Sequence, residues 1–445
     1  MRTLPWLAMS AALLAASGCV NKSPVITLGP DVLRLPGGVM RTVSVDVVDP
    51  EGDPVVLTVS ADRGFATIEG AAVRYTAPQD AGDDSLRVQA HDGTTQSIAT
   101  LVVTVDDPMG WTEPEQVADT PGNSKSPALA VGPGGIVHIA WHDFSDDPPT
   151  IRHAALTDGG WQTSTLDLGP DKVLRAQLVA DGPTLHLLCE RFLDGGYEVL
   201  HASLGDGTWS DAEVLGAGRK ASGALFDGDL HVVWFGEDDL PEHAWLGPDG
   251  WVQEGLVPLV APYINPIRLQ LLGTAEGLEL GILLSPGETS YDMNVVRWTA
   301  AGGWEEPVIL YVSPELGAEE PAGVSDPSGA ARWVWAEQDP AELWTYDIVT
   351  MGTTPGLEPA RVGLEGFNAS PAVAAPSEPG LQLVWIGETE DLYVARQPFM
   401  DEPTLISAAS RAPALAADPD GYLHLTWVAD IAGVEQILYA TTRPR

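Results

Sequence analysis

Five basic residues recur at one kind of position, the start of a short apolar run: Lys125, Arg175, Lys220, Arg268 and Arg411. The chain has only 22 lysines and arginines against 63 aspartates and glutamates, so this recurrence is a pattern. Such cations bind carboxylates, and arginine can do so through two parallel hydrogen bonds. If the fold gathers these positions, the sequence predicts an anion-binding site. The alternative is that the cations only neutralise neighbouring acidic loops.

A second set of polar residues follows the next apolar run, in segments such as HDFSDD, ERFLDGG and FGEDDLPE. Nearly every such segment is acidic, so we expect an acidic outer ring around the basic inner one. The candidate ligand contacts in these segments are His142, Asp143, Glu190, Arg191, Glu237, Glu337 and Glu388. Of these, His142 and Asp143 are expected to be well exposed.

Four histidines share one register, three residues before a bulky apolar residue: His138, His186, His231 and His424. Residues three apart on a strand lie on opposite faces, so these side chains are expected to pack and hydrogen-bond within the sheets rather than to bind a metal. The sequence also contains no glycine-rich phosphate loop opening a helix, no HExxH and no GxSxG. We therefore expect no nucleotide cofactor.

An internal repeat would position all of these residues. Its units recur about every 42 to 52 residues and read as strand, turn, strand, with a bulky residue such as Trp141 or Trp234 at the end. A third and a fourth strand follow in most units. The first halves of the seven units are 126–141, 175–189, 221–234, 268–283, 320–335, 370–385 and 412–427.

The phase of the repeat predicts a closed ring. The segment GWTEPEQVA, residues 110–118, matches the fourth strand of a unit but stands before the first one, whereas the last unit ends at YATTRPR with no fourth strand. Pairing of 111–117 with the strand around 437–441 would complete the last unit and hide its sheet edge. We therefore expect an all-β protein in which 109–445 form a seven-bladed β-propeller closed by its N-terminal outer strand.

The turns of this repeat resemble the Asp box of sialidase-like (BNR) repeats. The nearest match is SLGDGTW, residues 203–209, and LTDGGW and GPDGWV are degenerate copies. In that family the aspartate caps the turn and the tryptophan packs between strands, so the resemblance implies a folding element. Seven-bladed bacterial lectins and polysaccharide lyases use similar repeats.

The same resemblance also implies a kind of ligand and a function. Sialidases grip a carboxylate with three arginines, and Arg175, Arg268 and Arg411 match such a trio by location. Their early R-I-P motif is missing here, and no tyrosine nucleophile can be assigned, since Tyr263 and Tyr291 are only nearby in sequence. We therefore expect binding of a glycan or protein ligand on the channel face; the alternative is a sialidase-like or polysaccharide-lyase-type enzyme.

Residues 20–108 are expected to form a separate domain with a short tether. Alternation of apolar and polar residues between Gly, Asp and Pro turns predicts a small antiparallel β-sandwich. DPEGDPVVLTVS and AHDGTTQSIATLVVTV resemble pieces of immunoglobulin-like and cadherin-like modules, which generally serve as spacers or adhesive units. Asp49, Glu51 and Asp53 could bind Ca²⁺; the alternative is a charged hairpin turn.

Residues 1–19 read as a targeting segment. Arg2, an apolar stretch and ASGC, which ends at Cys19, resemble the signal and lipobox of bacterial lipoproteins. The resemblance implies lipidation of Cys19; the alternative is a plain secretory signal. We expect a monomer in the bacterial cell envelope, at the outer membrane or cell surface, whose membrane contact is the lipid anchor alone. The net charge of −41 argues against nucleic acid as a partner.

Overall fold

The computed structural model describes residues 21–259, 265–285, 292–312, 318–326, 328–338, 346–353, 359–362, 369–375, 381–387, 389–397 and 403–444. These residues are mostly in β-strands, and a 3₁₀ turn at Pro133–Gly135 is the one helical element among them. The all-β prediction is confirmed. No helix in the described ranges is long and apolar enough to cross a membrane.

The chain divides into two compact units. Of the described residues, the first comprises 21–34, 41–76 and 83–104, and the second comprises 35–40, 77–82 and those from 105 onward. The predicted signal and lipobox, including Cys19, lie outside the described part of the chain.

Eight strands lie at the N-terminal end: β1 (Val25–Gly29), β2 (Leu33–Pro36), β3 (Met40–Val48), β4 (Val56–Ala61), β5 (Phe65–Glu69), β6 (Ala72–Thr76), β7 (Gly82–His91) and β8 (Gln96–Asp106). They make up two four-stranded sheets with the spatial orders β1-β3-β6-β5 and β2-β8-β7-β4. Alternating burial along β7 and β8, the pattern expected of strands with one solvated face, places Leu86, Val88 and Val103 in the core.

The rest of the described chain forms seven further sheets of four or five strands. Within each, consecutive strands pair as antiparallel hairpins. The strands up to the third sheet are β9 (Glu115–Gln116); β10 (Ser124–Val131), β11 (Val137–Asp143), β12 (Thr150–Thr157) and β13 (Gly160–Thr165) in the first; β14 (Lys172–Asp181), β15 (Thr184–Leu193), β16 (Gly196–Gly205), β17 (Thr208–Trp209) and β18 (Glu213–Ala217) in the second; and β19 (Arg219–Phe226), β20 (Asp229–Phe235), β21 (Pro241–Gly247) and β22 (Gly250–Leu256) in the third.

The remaining sheets repeat this plan. Their strands are β23 (Asn265–Gly273), β24 (Leu278–Ser285), β25 (Asp292–Thr299), β26 (Gly303–Trp304) and β27 (Val308–Val312) in the fourth; β28 (Ala318–Ser325), β29 (Ala331–Gln338), β30 (Tyr346–Gly352) and β31 (Ala360–Val362) in the fifth; β32 (Ala369–Ala374), β33 (Gln382–Ile386), β34 (Leu392–Arg396) and β35 (Thr404–Ser407) in the sixth; and β36 (Ser410–Ala417), β37 (Leu423–Ile431) and β38 (Val434–Thr441), joined by β9, in the seventh.

The second strand of each sheet is the most buried. Every residue of β11 is buried, and Trp141, Trp234 and Trp335 are fully inaccessible to solvent. These strands pack between neighbouring sheets: Trp141, for example, shares a hydrophobic cluster with Val428 and Tyr439 of the seventh sheet. Burial on both faces explains why the second strands read as near-continuous apolar runs.

The first strands follow one another in cyclic order. Each lies beside the first strand of the next sheet, and β36 of the seventh sheet lies beside β10 of the first. Side chains bind neighbouring backbones across this order: Gln177 receives a hydrogen bond of 2.8 Å from the Gly223 N–H, and Gln270 one of 2.7 Å from the Gly323 N–H. These first strands therefore line one common space.

The seventh sheet is completed from the other end of this unit. Strand β9 pairs with β38, with Gln116 opposite Leu438 and Glu115 opposite Tyr439. This is the pairing that the phase of the repeat predicts. The flanking backbone extends it, because the Val117 N–H donates to the Ile437 carbonyl at 2.9 Å.

A buried glutamine clasps this junction. Gln436, only 3% exposed, accepts a hydrogen bond of 3.1 Å from the Thr120 N–H and donates one of 2.9 Å to the Thr120 carbonyl. It also accepts a hydrogen bond of 3.1 Å from Gln116. One side chain of the last hairpin thus satisfies both backbone groups of a residue more than 300 positions away.

We predict that Gln436→Leu lowers the free energy of unfolding by roughly 2 to 3 kcal/mol, because it leaves the buried N–H and carbonyl groups of Thr120 without these hydrogen bonds. Urea titration followed by circular dichroism measures this change. The matched control is Gln162→Leu on the exposed strand β13, which should change the free energy by less than about 0.5 kcal/mol. Equal losses for the two variants would contradict the role of the clasp.

Candidate anion-binding site

The seven first strands all bulge at the same level. In each sheet the register between the first and second strands shifts once, and in six sheets two residues of the first strand oppose the bulky residue of the second. Bulges bend a strand and redirect its side chains. The paired residues are Ser126–Pro127 opposite Trp141, Arg175–Ala176 opposite Cys189, Lys220–Ala221 opposite Trp234, Glu320–Pro321 opposite Trp335, Ser370–Pro371 opposite Trp385 and Ala412–Pro413 opposite Trp427.

Backbone strain marks the same level. Five bulge residues other than glycine have left-handed backbone angles, with φ between 47° and 57°. Such angles are uncommon for side-chain-bearing residues and concentrate at sites where the surrounding structure imposes them. These residues are Ser126, Arg175, Lys220, Ser370 and Ala412.

A cavity of about 460 Å³ lies inside this ring of bulges. All seven sheets contribute to its wall, which places the cavity at the common centre of the first strands. The residues that line it are Ser126, Pro127, Arg175, Ala176, Gln177, Glu190, Lys220, Ala221, Ser222, Arg268, Leu269, Gln270, Pro321, Ala322, Ser370, Pro371, Ala412 and Pro413.

Three of the five predicted cations line this cavity: Arg175, Lys220 and Arg268. They come from the first strands of three consecutive sheets, the second, third and fourth. The arrangement concentrates positive charge in one part of a strongly acidic chain. Gln177, Ser222 and Gln270, which the sequence analysis did not single out, line the same part of the wall.

Burial and the neighbouring positive charges both disfavour the charged form of Lys220. The pKa of Lys220 is lowered to about 8, chiefly by burial and then by the positive charges of Arg219, Arg175 and Arg268. The carboxylate of Glu190 acts in the opposite sense but does not outweigh them. A bound anion would lower this repulsion, because its negative charge attracts all three cations.

Glu190 is the acidic candidate that lines the cavity among those in the described part of the chain. It is 3% exposed, accepts a 2.6 Å hydrogen bond from the backbone N–H of Lys220, and lies 3.8 Å from Nε of Arg175. Burial raises the pKa of its carboxyl group, although the nearby cations and the hydrogen bond act in the opposite direction. Its side chain therefore supports the bulge of the third sheet through the Lys220 backbone.

Lys125 and Arg411 are corrections to the expected site, because neither lines the cavity. Each stands one residue before the bulge of its strand, where the alternation of a β-strand sends the side chain to the other face. Lys125 lies 3.2 Å from Glu435, and Arg411 contacts Glu390 at 2.7 Å and Glu435 at 3.1 Å. Their charges are matched by carboxylates outside the cavity.

The expected exposure of His142 and Asp143 is also wrong. His142 is 8% exposed, its ring lies 4.9 Å from that of Phe144, and burial lowers its pKa to about 4. Asp143 is fully buried, accepts a hydrogen bond of 2.8 Å from the Ser145 N–H and lies 3.3 Å from Arg152. Both side chains are therefore buried and make their contacts within the first sheet and the turn that follows its second strand.

The remaining candidates do not converge on the cavity either. Arg191 pairs with Glu198 at 2.6 Å within the second sheet, and Glu237 is exposed in a turn. Glu337, 1% exposed, accepts hydrogen bonds from Tyr311 and from Arg361. Glu388 lies outside the described residues.

The four histidines of the second strands are buried, and three of them pair with a histidine of the third strand. Ring nitrogens meet at 3.0 Å in His138–His153, at 3.0 Å in His186–His201 and at 3.1 Å in His231–His243, whereas His424 meets the Tyr439 hydroxyl at 2.6 Å. The expected packing role agrees with this geometry. The partner histidines were missed, although RHAAL, LHASL and EHAWL place a His-Ala pair in each third strand.

One pair has a defined tautomer. The indole N–H of Trp304 donates to Nδ1 of His243 at 3.1 Å, so that nitrogen carries no proton. The proton of neutral His243 therefore sits on Nε2, which donates to Nδ1 of His231. A tryptophan of the fourth sheet thus orients two histidines of the third, and the network binds neighbouring sheets together.

No metal cluster forms among the described residues, where no group of three or more His, Cys, Asp or Glu side chains could hold an ion. Asp49 instead accepts hydrogen bonds from the N–H groups of Glu51 and Asp53, which is the pattern of a capped turn.

Cys189 is buried, and burial raises the pKa of its thiol, as expected of a small apolar core residue.

Comparison with known proteins assigns no family: no family model matches the chain, and no curated protein matches it. Among solved structures, a Hadza microbial sialidase is 13% identical, with a TM-score of 0.42 over 84% of this chain and 76% of that one. A mutant of the Aleuria aurantia lectin in complex with α-methyl-L-fucoside is 12% identical, with a TM-score of 0.41 over 69% of this chain and 95% of the lectin. The sialidase of Trypanosoma rangeli is 11% identical, with a TM-score of 0.44 over 72% of this chain and 54% of that one. Similarity at this level assigns no activity to this chain.

The buried histidines predict acid sensitivity. Burial lowers the pKa of His138, His153, His201 and His231 to about 4, and that of His243 to about 3. The unfolded chain takes up these protons once the pH falls below about 6.5, whereas the folded chain does not. Stability should therefore be full above about pH 6.5 and fall between about pH 6.5 and 4, by about 1.4 kcal/mol per pH unit for each such histidine.

Urea titrations at about pH 7.5, 6 and 5 test this expectation. Because most carboxylates remain ionised over that range, a steep loss reports on the histidines. A free energy of unfolding that stays level down to about pH 5 would show that the rings are not held neutral.

Proposed function

We propose that this chain is a binding protein of the bacterial cell envelope that recognises an anionic glycan or protein ligand through Arg175, Lys220 and Arg268. In this proposal the seven sheets are the blades of a β-propeller, and the first unit is a sandwich spacer of the immunoglobulin-like or cadherin-like kind. Anchoring by a lipid on Cys19 is part of the proposal and rests on the sequence of residues 1–19 alone.

The observation that carries the proposal is the convergence of three cations around one cavity. The net charge of the chain is −41, so three positive side chains on consecutive sheets are not explained by composition. Field lines focus in a cleft with low-dielectric walls, which raises the local concentration of an oppositely charged ligand. Two of the three are arginines, which suit carboxylate geometry.

One observation favours the alternative of a glycan-active enzyme. Glu190 lines the cavity with a raised pKa, as a general acid would require. Glycosidases, however, use a second carboxylate or a tyrosine at the reacting centre, and none is found among the described lining residues. Tyr263 and Tyr291 lie outside the described part of the chain. The geometry of the described wall therefore supports binding better than catalysis.

The double variant Arg175→Gln/Arg268→Gln should weaken retention on an array of acidic glycans and acidic peptides by at least about tenfold, since charge-assisted hydrogen bonds are lost. Lys125→Gln/Arg411→Gln is the matched control, because it also removes two positive charges, but outside the cavity, and should leave retention unchanged. Retention of every ligand by the double variant at the level of the unsubstituted protein would eliminate the anion site.

Affinity for an anionic ligand should also depend on pH in a defined way. Lys220 is protonated below its pKa of about 8, so binding should weaken as the pH rises through that value. In Lys220→Arg the charge persists, so the affinity should stay level between about pH 7 and 9. Isothermal titration calorimetry measures both proteins; the same pH profile in each would contradict a contribution from Lys220.

A further inference from the structure

The cavity has two chemically different halves. Arg175, Lys220 and Arg268 project from the second, third and fourth sheets, and Glu190, Gln177, Ser222 and Gln270 lie beside them. In each of the other four sheets, the second residue of the bulge is a proline that lines the cavity. These prolines are Pro321, Pro371, Pro413 and Pro127, of the fifth, sixth, seventh and first sheets.

The bulge explains why proline can stand there. The second residue of a bulge is left out of the hydrogen-bond ladder, so proline, which has no N–H group, is tolerated at a position where it would break a regular inner strand. Its ring presents carbon atoms and no donor to the cavity. Ala322 and Ala412 extend this surface, and the hydroxyls of Ser126 and Ser370 are the polar side-chain groups among its described residues. The side chain of Glu320 lies outside the described ones.

This division restricts the ligand. A sugar acid carries hydroxyl groups around its ring. Those that face proline or alanine carbons, and not the Ser126 or Ser370 hydroxyl, would lose water without gaining a side-chain partner, at roughly 1 to 3 kcal/mol each. An apolar body would instead gain about 25 cal/mol for each Å² it buries there. The cavity volume of about 460 Å³ suits a small ligand or the end of a chain.

We propose that the cavity selects a carboxylic acid with an apolar body: the carboxylate faces Arg175 and Arg268, and the hydrocarbon faces the ring of prolines. The chemistry is shared by a free aromatic or branched acid and by the C-terminal carboxylate of a peptide that ends in an apolar residue. This inference rests on the proposed anion site and narrows its ligand class.

Calorimetry on the full chain can test this selection with four probes. They are 3-phenylpropionate, N-acetyl-Leu-Phe with a free carboxylate, the same dipeptide as its C-terminal amide, and D-glucuronate. We expect both apolar acids to bind at least about tenfold more tightly than the amide, which lacks the charge, and than glucuronate, which lacks the apolar face. The tighter of the two apolar acids identifies the source, a free acid or a chain end.

Two variants separate the two halves of the cavity. Arg175→Gln should weaken all three acids, with Arg411→Gln as its charge-matched control. Ala412→Asn places an amide in the apolar half at a position with φ of 47°, which asparagine tolerates. It should weaken 3-phenylpropionate by about fivefold or more and leave glucuronate unchanged. Thermal unfolding followed by circular dichroism verifies that each variant is folded.

Each outcome decides the matter. Glucuronate binding as tightly as the apolar acids, with the Arg175 dependence intact, would overturn this inference and leave the anion site standing. An equal loss of affinity for 3-phenylpropionate and for glucuronate in Ala412→Asn would also overturn the inference and leave the anion site standing. No binding of any acid, or binding that Arg175→Gln leaves unchanged, would overturn both the inference and the proposed function.

Discussion

The structure of the second unit depends on the backbone hydrogen bonds between β9 and β38. The last sheet would otherwise end on the unpaired N–H and C=O groups of β38, an edge that invites association with other chains. Taking the missing strand from the start of the unit removes that edge and connects its two ends. The clasp of Gln436 on Thr120 reinforces the connection with buried hydrogen bonds. The cyclic order of the first strands is then fixed, and with it the position of every side chain that faces their centre.

Closure is also what holds like charges together. Arg175, Lys220 and Arg268 repel one another, and in a flexible chain they would separate. Here each sits on a bulge or beside one, in a strand whose backbone is bound to its neighbours by Gln177, Ser222 and Gln270. The buried carboxylate of Glu190 offsets part of the repulsion. The hydrogen-bonded ring thus holds three positive charges close together around one cavity.

Much of this arrangement can be predicted from the sequence, and the predictions that are wrong have physical causes. The phase of the repeat predicts the partner of 111–117, and spacing from the bulky residues finds Arg175, Lys220 and Arg268. Alignment does not reveal that each first strand has an extra residue, so Lys125 and Arg411 were assigned to the wrong face. Burial of Asp143 and Glu337 depends on Arg152 and Arg361, partners from other strands that strand order alone does not supply. The prolines across the cavity from the cations occur in the sequence as SP, EP, SP and AP. Only the cyclic order of the first strands shows that they line the same side of one cavity.

The most direct test of this account is a cross-link across the closing strands. In a chain carrying Cys19→Ser and Cys189→Ala, the substitutions Gln116→Cys and Leu438→Cys place two thiols at positions that lie directly opposite each other in the antiparallel pair. Oxidation of dilute protein should give an intramolecular disulfide, seen by mass spectrometry of the linked peptides and by faster migration on a non-reducing gel. Thiols that stay free or link only between molecules, in folded protein, would show that the two ends do not meet and would contradict the closed ring.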